Sequence, residues 1–169
     1  MADSTHLDPA PHGEMPSGAD PGVDASSPSS ETVRRAALYW EQSQIDLVEA
    51  KRLCRASAFV ESSHLSFQAA VNALASVCHL RGRVRLPNHS AVALVELCGL
   101  TDSAFTEASL LADCADLEAV QARSPFDPDP DPKLLKQAAG AALKQSDRVL
   151  KAVKRHLKSA RKSPKRWPL

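Results

Sequence analysis

The placement of proline limits this chain's fold more than any other feature of its sequence. Of twelve prolines, five fall in the first 28 residues, four between 125 and 132, and two in the last six, which leaves Pro87 alone elsewhere. A proline inside a helix removes a backbone donor and clashes with the preceding turn, so helices must lie between these points. Residues 29–86, 88–124 and 133–163 are therefore free to be helical. Composition agrees. Apolar residues make up 43% of the chain, supplied mostly by Ala and Leu, while aromatics make up 4% and only 6 glycines are present. That balance favours packed helices over a sheet.

Periodicity places the helices. Ala36, Trp40, Ser43, Leu47, Ala50 and Cys54 recur at alternating spacings of four and three, which predicts a first helix over about Glu31–Ser57 with Ser29 or Ser30 as cap and Trp40 as core anchor. Val60, His64, Phe67, Val71, Leu74 and Cys78 form the stripe of a second helix over about Phe59–Leu80, with His64 on the apolar face and His79 facing solvent. Gly82 and Pro87 bound a loop over residues 81–88, and Asn88 or Ser90 caps a short third helix that Gly99 ends. Thr101 or Asp102 is the expected cap of a fourth helix carrying Phe105, Leu111, Leu117 and Val120. Asp131 before Pro132 suits the start of a last helix reaching about Ala160, with Leu135, Ala139, Leu143, Ser146, Leu150, Val153 and Leu157 on one face. The expected fold is all-α, an up-and-down bundle of about five helices.

The ends differ in charge. Residues 1–33 carry six acidic side chains and no Lys or Arg, whereas residues 149–169 carry eight Lys or Arg and no acid, within a net charge of +1. We read residues 1–31 as a disordered acidic leader, 32–160 as the bundle and 161–169 as a basic tail. The first thirty residues have neither the basic start nor the apolar stretch of a signal peptide, and no apolar run approaches the length of a membrane span. Cys54, Cys78, Cys98 and Cys114 are too dispersed for a zinc knuckle and fall in apolar-periodic stretches, so free thiols in a reducing, cytoplasmic compartment are expected. No metal or other cofactor is expected. Asp127, Asp129 and Asp131 alternate with prolines that point their carboxylates apart, and His6 and His12 lie in the leader.

One stretch carries chemistry. In "RGRVRLPNHSAV", residues 81–92, Arg83 and His89 have five residues between them. A metal-independent RNase needs a base for the ribose 2′-hydroxyl and a cation for the charge growing on phosphate, and His and Arg are the residue types for those tasks. Three closely spaced arginines make such a spacing easy to meet by chance, and a helix-start histidine can simply bond a backbone carbonyl. Arg83 and His89 are thus the catalytic candidates. Arg81, Arg85, Arg123, Lys154, Arg155 and Lys158 are the candidates for binding an anion or nucleic acid.

Longer segments show a resemblance. "YWEQSQIDLVEAKRLC" (39–54), with Asp46, Leu47, Ala50 and Leu53, is similar to the first helix of HEPN domains, and "FVESSHLSFQAAVNALASV" (59–77), with Phe67, Gln68, Ala69 and Ala70, is similar to the second. "LPNHSAVALVEL" (86–97) resembles the Pro-x-x-His segment that opens the family's third helix, and "VQARSPFD" (120–127) its Arg-x-Pro-Asp stretch. Together these cover about residues 36–158. The chain departs from the pattern at Val71, where many relatives carry Glu, and at Ser124, where an aromatic is usual. The resemblance implies a helical bundle that often dimerises. It also implies either an RNase, including toxins of toxin–antitoxin pairs, or a non-catalytic relative that binds nucleotide or RNA or partners a small nucleotidyltransferase. In the active branch the nuclease motif lies near the region of Arg123, where this chain has no histidine. The leading expectation is therefore a non-catalytic HEPN-like binding module, the alternative an RNase, and the third a plain protein-interaction domain.

Overall fold

The computed structural model describes residues 29–83, 86, 90–122 and 131–162, the side chains of 161 and 162 excepted. Five α-helices are present among the described residues: α1 (Ser30–Arg55), α2 (Phe59–Leu80), α3 (Ala91–Gly99), α4 (Ala108–Gln121) and α5 (Pro132–Lys162). A single 3-10 turn, Ser103–Phe105, separates α3 from α4. The fold is the expected all-α bundle. Residues 1–28 of the acidic leader, the tail beyond 162, and Arg85, His89, Arg123, Asp127 and Asp129 lie outside the described residues, and α1 takes in residues 30 and 31 of the expected leader.

The helix ends follow local chemistry. Ser29 caps α1 by accepting from the Thr32 amide, and the Asp131 carboxylate accepts from the Lys133 amide at the start of α5. The first helix stops at Arg55, two residues earlier than its pattern predicts, because the chain turns left-handed at Ser57, with φ of 63°. There the Ala58 amide donates to the Leu53 carbonyl and the Ser57 amide to that of Cys54, which is a Schellman closure. The end of α2 repeats the motif with a residue suited to it. Gly82 has φ of 73°, its amide donates to the His79 carbonyl, and the Arg83 amide donates to that of Cys78. The glycine of the "RGR" stretch is thus the turn that sets the two flanking arginines.

α2 is the central helix, buried on almost every side from Ala69 to His79 and packed against α1, α3, α4 and α5. Small residues let α1 and α2 approach closely, and the buried hydroxyls find backbone acceptors: Ser62 donates to the Ala50 carbonyl at 2.8 Å, Ser43 to that of Trp40 at 2.6 Å. The buried Asp46 accepts from Gln42 and from Asn72 across the same interface. Leu74, Val77, Leu94, Val95, Phe105, Leu117, Val149 and Val153 are fully buried. Side chains of this size stabilise a fold by about 1.5–3 kcal/mol each when taken from water. Cys78, Cys98 and Cys114 lie in the core, Cys54 at its edge, and the Cys78 and Cys98 sulfurs are 3.6 Å apart.

Four side-chain or boundary expectations change. The early part of α2 turns Ser62, Ser63 and Ser66 inward, because their hydroxyls are satisfied by nearby carbonyls, and this leaves Val60 and His64 exposed. His64 instead meets Gln121 at the surface, 3.0 Å away. His79 is buried, not solvated, with its ring stacked on Tyr39. Trp40 is only half-buried, packing against the rim of a core that smaller residues fill. The Asp102 side chain caps only the 3-10 turn through the Ala104 amide, so the fourth helix begins at Ala108.

Candidate anion-binding site

Three elements meet where α2 ends. Phe105 buries itself beneath the 3-10 turn, and that fixes Asp102 beside α5. On α5 the inward residues Ala139, Ala142, Ser146, Val149, Val153 and His156 repeat at three and four, so the helix carries His156 into the interior at the end of an apolar stripe. Its Nδ1 lies 2.5 Å from Asp102 Oδ2, and its ring meets Phe105 edge-on at 5.4 Å between centroids. Its Nε2 lies 3.5 Å from Arg81 Nη2, and in the tautomer that carries its proton on Nδ1 that nitrogen is an acceptor for the guanidinium. Asp102 is held below its ordinary range first by the Ala104 amide, then by His156 and Arg81.

This constellation faces a cleft of about 350 Å³ between α5 and the turn leading to α4, lined by both charge signs. Much of that charge is already paired. Arg148 forks onto the buried Asp113 through Nε and Nη2, and Lys151 holds Asp147 at 2.6 Å. Arg155, also in the lining, has no ion-pair partner among the described residues. Glu107 stands in the same lining.

The structure brings some of the sequence candidates together. Arg81 and Arg83 are exposed on either side of Gly82, Arg81 touching His156. Arg155 is one residue from that histidine and lines the cleft. Lys154 and Lys158 are exposed on α5 but do not line it. At the start of α3, Ser90 caps the helix through the Ala93 amide, and Glu118 of α4 accepts from the Ser90 hydroxyl at 2.6 Å and the Val92 amide at 3.0 Å. A carboxylate of the protein's own thus occupies the anion-attracting helix end that follows His89.

His156 and Asp102 are not among the site residues that the sequence marks, Asp102 being expected there only as a helix cap. A signal existed for the first: a histidine three residues beyond Val153, in register with the buried stripe. For Asp102 none did, since its role depends on a contact across 54 positions of chain.

In overall shape, the chain is similar to an archaeal HEPN homologue of known crystal structure. The match has a TM-score of 0.55 and 19% sequence identity, and it covers 72% of this chain and 97% of that one. The bundle therefore has a HEPN-like fold, as the segments quoted above imply. No protein-family profile matches the sequence, and no curated protein matches it.

Proposed function

We propose that this HEPN-like domain is a non-catalytic module that binds a phosphate-bearing ligand, RNA or a nucleotide, at the basic end where α2 and α5 finish. One observation supports this reading above others: Arg81 approaches the His156–Asp102 pair, whose imidazole is buried, and Arg155 beside it has no ion-pair partner among the described residues. Both nitrogens of His156 are engaged and its ring is buried, so it acts as a support for an arginine, not as a free base. Arg148, Lys151 and Arg155 stand in the cleft lining, and such cations suit phosphate better than the charge-depleted centre of a stable protein interface such as a nucleotidyltransferase partner would need. Titrating a labelled RNA oligonucleotide against the protein over a range of NaCl concentrations tests it. Binding should weaken steeply with salt, and Arg81→Ala and Arg155→Ala should each weaken it and lower the salt slope by about one. Binding that is absent, or indifferent to salt, removes this reading.

The alternative is a metal-independent RNase, and the same trio favours it in one respect. A carboxylate-oriented imidazole beside a guanidinium has the parts for proton abstraction and phosphate stabilisation, provided that Arg81 moves onto phosphate and uncovers Nε2. Cleavage of RNA in EDTA that is lost in His156→Asn would establish it. Loss in His89→Ala instead would assign the base to His89. A homodimer would use the outer face of α1, where Leu38, Ile45 and Val48 are all more than half exposed, and sedimentation of Ile45→Glu against the parent protein decides this.

A further inference from the structure

The only tyrosine of the chain stands on the edge of this basic end. Tyr39 projects from α1 and lies flat on His79 of α2, with ring centroids 4.9 Å apart and planes 20° from parallel. His79 is 4% exposed and Tyr39 37%, so a buried histidine backs one face of a phenol ring that is itself partly open to solvent. Burial first, and the nearby Arg35 charge second, hold His79 below its ordinary basicity, so the support is a neutral aromatic ring. Arg35 lies one helical turn before Tyr39, on the same side of α1. Glu31 engages its Nε at 2.8 Å, and no described partner takes its terminal nitrogens. Arg81 and Arg83 follow His79 around the Gly82 turn.

A ring backed by a second ring and partly exposed, with Arg35 one turn before it on α1 and Arg81 and Arg83 on the turn that follows its support, offers what a nucleobase needs. The ring offers stacking that tolerates any base, and the arginines offer contacts to the phosphates on either side. We infer that Tyr39, seated on His79, is the stacking platform for a base of single-stranded nucleic acid, with Arg35, Arg81 and Arg83 contacting the flanking phosphates. This rests on the proposed phosphate-binding role and adds the base as a recognised group. Double-stranded ligands keep their bases stacked on each other and cannot use the platform.

The experiment compares an oligoadenylate of about twelve nucleotides, as RNA and as DNA, with an abasic deoxyribose-phosphate strand of equal length. The full-length protein should bind the base-bearing strands about ten-fold more tightly than the abasic one. Tyr39→Ala should abolish that advantage while leaving abasic binding and its salt slope unchanged, and Tyr39→Phe should preserve it. A preference for RNA over DNA would add a 2′-hydroxyl contact, and equal binding would mean that base and phosphate suffice; both agree with the platform. Equal, salt-dependent binding of base-bearing and abasic strands would overturn the platform and leave the phosphate site standing. So would a Tyr39→Ala protein that keeps the base-dependent advantage. Binding of none of the strands would overturn both readings.

Discussion

Ser57 and Gly82 occupy the same position in two copies of one motif, yet only one is the residue that the motif favours. A left-handed conformation costs a non-glycine residue about 1–2 kcal/mol, and Ser57 meets that cost at φ of 63°. Ser57→Gly should therefore stabilise the protein by about 1 kcal/mol, raising the midpoint of a thermal melt by roughly 4 °C. Gly82→Ala should do the reverse, and because Gly82 sets Arg81 and Arg83 it should also weaken ligand binding. His79 offers a second residue-scale test. Its folded-state pKa lies below the ordinary 6.5. On acidification the unfolded chain takes up this proton before the native state does, so stability is full above about 6.5 and falls as pH drops below it. Its Nε2 is buried without a partner among the described residues. His79→Phe should remove that unmet polar atom and raise stability by about 1 kcal/mol. It should also flatten the acid side of a stability profile measured by urea unfolding between about pH 5 and pH 8.

At the scale of elements, helix existence was legible and helix facing in part: Ala36, Ser43, Leu47 and Ala50 of α1 and Phe67, Val71, Leu74 and Cys78 of α2 are buried as their spacing predicts. Prolines and the three–four periodicity mark α1, α2, α3 and α5 within a few residues, since those signals act within one segment. The early face of α2 misled because buried serines count as polar, although Ser62, Ser63 and Ser66 satisfy their hydroxyls on backbone carbonyls. The cap at Asp102 was legible, but nothing local says that it governs a single 3-10 turn. The shortest helix shows how far an element can depend on its neighbours. α3 has only nine residues, too few to stand alone in water, and its first amides are satisfied by Ser90 and by Glu118 of α4. Glu118→Ala should cost about 1–2 kcal/mol and speed amide hydrogen exchange in α3 more than in α1, as NMR would show.

At the scale of the whole molecule, the basic end was partly legible. Arg81, Arg83 and Arg155 were marked out by charge and spacing alone, but the contact of Arg81 with His156, the neighbour of Arg155, depends on α5 laying its last turns beside the end of α2. His79 and Tyr39 were invisible as a pair, because stacking between two helices leaves no trace in either one's periodicity. The core's sulfur content has a separate consequence. Three thiols are enclosed and a fourth, Cys54, sits at the margin. Burial pushes the Cys114 thiol up to about 12, and Cys78 together with burial raises that of Cys98 further. Neither thiol can be alkylated until the bundle opens, so the chain carries its own stopwatch for breathing. Under native conditions a maleimide should modify Cys54 first and the other three only as fast as the interior is laid open, and mass spectrometry over time would read that opening helix by helix.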